Sequence, residues 1–233
     1  MTDEIGPNLA RVQERIALAA QRAGRRLSEI TLVAVTKTRP PEDLAAVYEA
    51  RVRDIGENRV EEAAVKKPQL DLPGLTWHLV GHLQSRKARQ AVDLFDVIHS
   101  VDSVKLARKL DAIATERARV MPVLLEVNVS GEESKYGLLL ADRAAFEVAV
   151  SEVADLPHLH LDGLMTVAFV ARDPEEVRPI FARLRALQDE LRTRFPQATW
   201  QHLSMGMTDD FEVAIEEGAT MVRIGRAIFG PRE

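Results

Sequence analysis

The chain has 233 residues, 46% hydrophobic and 29% charged, which suffices for a substantial buried core and excludes disorder by composition. Its formal charge of −5 supplies no attraction toward phosphate backbones or anionic lipid, so neither nucleic acid nor membrane is an expected partner. The absence of cysteine excludes disulfides, thiolate metal sites and thiol nucleophiles, so any covalent chemistry must use another group.

The opening MTDEIGPN is acidic and lacks an apolar segment, and no apolar run approaches the roughly 18 residues of a membrane span, so a cytoplasmic protein is expected. Leu9, Val12, Ile16, Ala19 and Ala23 then form a helical stripe that Gly24 can stop. Strand-like runs follow at 32–37, 54–58, 77–81, 97–101, 123–128, 161–167, 200–205 and 221–225. Stretches with helical spacing alternate with them at 42–50, 59–67, 85–94, 103–119, 141–153, 174–195 and 209–217. Eight such units in a chain near ~250 residues predict an α/β protein, a single (β/α)8 TIM barrel with an extra N-terminal helix, as one domain over 1–233. An open doubly wound sheet would need a glycine-rich turn after its first strand; here that strand runs into Thr36-Lys37-Thr38-Arg39-Pro40 instead.

In such a barrel the chemistry sits at the C-terminal ends of the strands. Period two in the first strand puts Val33, Val35 and Lys37 on one side and Leu32, Ala34 and Thr36 on the other, so if the valines fill the barrel, Lys37 points into its mouth. Two readings of Lys37 stand at this point: an amine that snorkels to solvent or pairs with a carboxylate, or a desolvated amine able to attack an aldehyde. In the last strand Arg223 shares a side with Met221 and Gly225, and Gly225 opens a turn through Gly230 whose backbone N–H groups can approach an anion. The seventh-strand segment His202-Leu203-Ser204-Met205-Gly206-Met207-Thr208 adds a hydroxyl and a glycine where barrels often hold phosphate. Glycines for tight turns and Ser204 or Thr208 as helix caps remain the structural alternative for those two segments.

The motifs VAVTKTRP, IGENRVEEA, WHLVGHLQSRK, IHSVDS, EVNVSGEESKYG, LDGLMTV, LSMGMTDDFEVAIEEGATMVRIG and AIFG, in that order over nearly the whole chain, resemble the pyridoxal phosphate homeostasis proteins, relatives of the barrel domain of alanine racemase. The resemblance implies that Lys37 holds pyridoxal 5'-phosphate as a Schiff base and that Arg223 faces the pyridine nitrogen. It further implies that Ser204 and the backbone of Gly225 and Arg226 hold the phosphate, with Asn58 beside the cofactor. An arginine at the ring nitrogen discourages its protonation and makes the ring a weak electron sink, which argues against transaminase-like chemistry. Two residues depart from the family pattern: Arg226 stands where a small hydroxyl residue is usual, and Arg86 where an asparagine is common.

Racemisation in the related fold needs a tyrosine from a separate C-terminal β-domain, whereas this sequence ends at Glu233, just after the eighth strand and turn, with Tyr48 and Tyr136 as its tyrosines. The expectation is therefore a monomeric carrier that contributes to vitamin B6 and amino-acid homeostasis, with pyridoxal phosphate-dependent apoenzymes as recipients. The alternatives are a slow amino-acid racemase using Lys37 and a phosphosugar-binding barrel without a covalent cofactor. Lys135, in Ser134-Lys135-Tyr136, is a candidate secondary amine, with a solvated loop lysine as the plainer reading. His78 and His82, and His158 with His160, lack matching carboxylates and do not read as a metal site, so no metal is expected. Glu126 and Asn128 have the parity to face the barrel together.

Overall fold

The computed structural model describes residues 4–132 and 135–231. Helix α1 (Ile5–Arg22) leads into β1 (Thr31–Val35), after which strands and helices alternate as α2 (Pro41–Glu49), β2 (Asp54–Glu57), α3 (Val60–Lys66), β3 (Thr76–Leu79), α4 (Ala88–Leu94) and β4 (Val97–Val101). The second half continues through α5 (Val104–Glu116), β5 (Met121–Asn128), the two-residue β6 (Leu138–Leu139), α6 (Arg143–Ala154), β7 (Leu159–Met165) and α7 (Arg178–Arg194). It closes with β8 (His202–Ser204), α8 (Phe211–Glu216), β9 (Met221–Ile224) and the single turn α9 (Arg226–Phe229). The strands pair in parallel in the order β4-β3-β2-β1-β9-β8-β7-β5, and a β4–β5 pairing closes the ring, with β6 attached to β5 outside it. The expected eight-stranded barrel with a preceding helix is therefore the fold.

Alternation along each strand divides the apolar residues between two environments. Val33, Leu124, Met165 and Met221, with Val80 against them, pack inside the ring. Leu32, Ala34, Ile55, Leu79 and Ile98 point outward into the shell of helices. The parity expected for β1 is thus realised. The stripe of α1 is buried at Leu9, Val12, Ile16 and Ala19, and Gly24 (φ 65°) ends the helix. This helix packs on α8, α9 and α2, and Asn8 Nδ2 donates to the Ile228 carbonyl at 2.9 Å, which ties the extra helix to the turn after β9.

Most bounds shift by a few residues from those expected, and at three elements the shift has a local cause. The run at 200–205 becomes a strand only from His202, because Trp200 is fully buried with φ 50° and its indole N–H donates to Phe195 O at 2.8 Å. The helix expected from 174 begins as a 3-10 turn, Pro174–Val177, with Asp173 and Glu176 forming a capping box. The turn after Gly225 is a short helix, too brief to leave a periodic signal.

One cap gives a plain stability test. Asp142 accepts from the Ala145 amide at 3.0 Å at the start of α6, so Asp142→Ala is expected to lower unfolding free energy in urea by about 1 kcal/mol.

Candidate functional site

Lys37 lies two residues beyond β1, half-buried at the C-terminal end of the barrel. It lines a cavity of about 400 Å³ with Thr38, Arg39, Gly225, Arg226 and Phe229. The backbone approach that forms this cavity depends on a missing side chain, since a Cβ on Gly225 would stand 3.1 Å from the Val35 carbonyl. Arg39 lies over the Phe229 ring, 5.5 Å from its centroid, and donates to Gly230 O at 3.1 Å, bracing the far wall.

The expected residues fall into two groups. Lys37, Gly225 and Arg226 meet around the cavity. Ser204 and Arg223 meet inside the ring, where Arg223 Nη1 donates to Ser204 Oγ at 2.6 Å and Nη2 to the Thr166 carbonyl at 2.8 Å. Burial pushes the Arg223 guanidinium down to about 10, with Glu126 and Asp210 opposing the shift, so it remains a cation at neutral pH. Asn58 stands half-buried at the end of β2, and Gly81 packs so tightly there that a Cβ on it would be 2.4 Å from the Asn58 carbonyl. The Arg226 side chain is paired with Asp209 at the surface, so the charge at this departure from the family pattern is engaged there, and the residue also lines the cavity.

Sequence reasoning missed what lies beneath Arg223. A hydrogen-bonded row crosses the barrel: Asp54 Oδ1 to His78 Nε2 (2.9 Å), His78 Nδ1 to His99 Nε2 (2.9 Å), and His99 Nδ1 to Ser204 Oγ (2.8 Å). Asp54 is partly open to solvent at the start of β2, whereas His78, His99 and Ser204 are buried. Burial, together with the positive fields of His78 and Arg223, holds His99 well below the ordinary histidine range, so it is neutral. The donor and acceptor roles along the row follow from the tautomer of each imidazole, while Ser204 Oγ accepts from Arg223 Nη1. The Ser204 hydroxyl, expected at a phosphate, is thus engaged with both His99 and Arg223 inside the ring. The signal for His99 was its parity, since Ile98 faces the helices and the next residue must face the lumen.

Among the other candidates, Asn128 Nδ2 donates to Glu132 O at 2.8 Å and its Oδ1 accepts from Gly131 N at 2.9 Å, so it shapes the loop after β5. Glu126, of the same parity, lines a smaller cavity of about 160 Å³ with Asn128, Lys135 and Tyr136, and its buried Oε2 has no hydrogen-bond partner. Lys135 is ion-paired with Glu132 at 2.6 Å; Ser134 lies outside the described residues. Tyr136 is stacked on His82 with centroids 3.7 Å apart, and His82 Nδ1 lies 3.1 Å from Asp102. Tyr48 donates to Pro73 O at 2.9 Å on the outer shell. His158 sits by Thr115 and His160 by Asp162, and among the described residues no group of three or more His, Asp or Glu could hold a metal. No described helix is long and apolar enough to cross a membrane.

Comparison with known proteins matches residues 8–233 to the family described as alanine racemase, N-terminal domain. The chain is 43% identical to the pyridoxal phosphate homeostasis protein of Aquifex aeolicus over 97% of each chain. It is 41% identical to that of Escherichia coli over 99% of this chain and 98% of the relative. Among solved structures, PipY of Synechococcus elongatus with pyridoxal phosphate bound superposes with a TM-score of 0.81 at 40% identity, covering 94% of this chain and all 100% of that one. An alanine racemase of Clostridium difficile shares the fold at 16% identity and a TM-score of 0.76, with 99% of this chain spanning 60% of the racemase.

Proposed function

Because this chain belongs to the pyridoxal phosphate homeostasis proteins within the alanine racemase N-terminal domain family, we propose that it binds pyridoxal 5'-phosphate covalently through Lys37 and acts as a carrier of that cofactor. The observation that carries this reading is the convergence of Lys37, Gly225 and Arg226 on one cavity. The donor set suits the group: a primary amine, a buried cationic guanidinium, and a glycine cradle that any side chain would crowd. When bound, pyridoxal phosphate supplies an aldehyde that condenses with a primary amine and releases one water.

In this reading the residues divide the work. Lys37 provides the nucleophile. Arg223 would present positive charge toward the pyridine nitrogen, which would disfavour its protonation and so weaken the electron sink that amino-acid turnover needs. The backbone of Gly225 and Arg226 would hold the phosphate, and Asn58 would lie beside the cofactor. Ser204 would belong to the phosphate side as well, its hydroxyl tied to His99 and Arg223. A carrier is favoured over a racemase because Tyr48 is engaged with Pro73 and Tyr136 lies flat on His82, which leaves neither set as an opposing acid. The recipients proposed are pyridoxal phosphate-dependent apoenzymes, and the domain proposed is a single barrel over 1–233.

The test is direct. The protein is incubated with pyridoxal phosphate, reduced with borohydride and mapped by peptide mass. One reduced cofactor on Lys37, with loss of the visible absorption band, is expected; absence of any adduct, or an adduct elsewhere, overturns the proposal. Assays with alanine and serine are expected to show no loss of optical activity, and turnover that disappears in Lys37→Ala would make the protein a racemase.

A further inference from the structure

The motif IGENRVEEA contributes only Asn58 to the site described so far, yet its neighbours surround the backbone on either side of Lys37. The Arg39 amide donates to the Thr36 carbonyl at 3.0 Å, which closes a four-residue turn with Lys37 and Thr38 in the middle. Thr38 has φ 65°, the left-handed region that suits glycine at this position of a turn and that a β-branched residue rarely enters. Something outside the turn has to hold it.

Three side chains from β2 and α3 do so. Thr38 N–H donates to Glu62 Oε2 at 2.6 Å. The Thr36 carbonyl accepts a second hydrogen bond from Lys66 Nζ at 2.8 Å, and the Thr36 hydroxyl donates to Glu57 Oε1 at 2.6 Å. Lys66 joins the three, donating to Glu57 Oε1 at 2.7 Å and to Glu62 Oε2 at 3.2 Å. Glu62 and Lys66 are one helical turn apart, so α3 presents both on one face toward the end of β1. Glu57 is fully buried and the Lys66 side chain is 8% exposed. A buried lysine–carboxylate pair contributes little to net stability, and its best-attested use is to impose one arrangement over others.

We infer that the Glu57–Glu62–Lys66 cluster is the positioning device for Lys37: it clamps the residues before and after the lysine and holds a strained turn in the shape that directs the amine into the cavity. None of the three lines the cavity; each acts through Thr36 or Thr38. The inference rests on Lys37 being the reactive amine, and its test separates the two claims.

Glu62 is the residue to alter, because it is only half-buried and its removal leaves the Glu57–Lys66 pair intact. Whole-chain parent, Glu62→Ala, Glu62→Gln and the double variant Glu62→Ala/Thr38→Gly are compared. The first readout, taken without cofactor, is hydrogen exchange at the Thr38 amide; the second is the rate of covalent capture of pyridoxal phosphate at Lys37, followed by absorbance and confirmed by borohydride mapping. Glu62→Ala is expected to exchange faster at Thr38 and to capture about tenfold to a hundredfold more slowly, the cost of loosening a reacting group's placement. Glu62→Gln, whose amide oxygen still accepts from Thr38, is expected to stay near the parent. The double variant is expected to recover most of the rate, because glycine adopts the left-handed conformation without being held. A merely structural role for Glu62 would not be rescued at Thr38.

Capture by Glu62→Ala at the parent rate, with Lys37 labelled in both, overturns the positioning role while leaving the carrier reading in place. A parent that is not labelled at Lys37 overturns both. If Glu62→Ala does not fold, the decision passes to Glu62→Gln and to Glu62→Gln/Thr38→Gly, and slow capture by Glu62→Gln without recovery in the double variant overturns it.

Discussion

Lys37→Ala is expected to yield a folded barrel that gains no borohydride-stable mass and develops no cofactor absorption band. Its side chain is half-buried beyond the end of β1, and it is part of neither the interior apolar cluster nor the packing of strands on helices, so its truncation leaves the core untouched. What is lost is the covalent bond. On the proposed site, pyridoxal phosphate would then rely on the non-covalent contacts of Gly225, Arg226, Arg223, Ser204 and Asn58, and its retention should fall at least about a hundredfold, roughly 3 kcal/mol. Equilibrium dialysis of the variant and the parent measures the loss. Lys135→Ala serves as the contrast: Lys135 is held by Glu132 away from the Lys37 cavity, so its removal is expected to leave the adduct unchanged. An adduct that persists in Lys37→Ala and vanishes in Lys135→Ala would transfer the role to the other lysine.

That Lys37 could be singled out at all follows from the regularity of the fold. In a closed parallel ring every strand alternates between lumen and shell, so once Val33 is interior the position of Val35 follows from counting, and Lys37 comes next at the strand's mouth, in the turn that follows β1. The same counting turned Arg223 inward beside Met221. Contacts that join distant parts of the chain were not open to counting. Ser204 meets His99 across 105 residues, and Arg223 reaches a carbonyl, Thr166 O, whose availability no side-chain pattern reveals. His78 read as a weak metal candidate because its partners Asp54 and His99 lie on neighbouring strands, 24 and 21 residues away. The left-handed Thr38 was hidden for another reason: threonine is a poor choice there by local preference, and only Glu62 from the next unit makes it tenable.

Glu126→Gln is expected to stabilise the protein strongly at alkaline pH and hardly at all at acid pH. Burial, reinforced by Asp102 and opposed by Arg223, raises the Glu126 carboxyl from 4.5 to about 7. The sign follows from proton linkage. Between those two values the folded chain binds a proton at this site that the unfolded chain has released, so stability falls as pH rises, and above about 7 the full penalty remains. Two and a half pK units correspond to at most about 3 kcal/mol, whereas below 4.5 both states are protonated and the contribution vanishes. Glutamine keeps the shape without the charge. Urea unfolding of parent and variant across pH 4 to 8 should therefore give curves that coincide at the acid end and diverge toward the alkaline end, with the variant the more stable. Parallel curves would mean that water or a counter-charge already satisfies Glu126 in the folded state. The residue shares its small cavity with Asn128 and Tyr136 at the mouth of the barrel, and its charge also bears on Arg223. A protein that tolerates a buried carboxyl there gives up stability to keep an ionisable group beside its candidate site, and the pH profile measures how much.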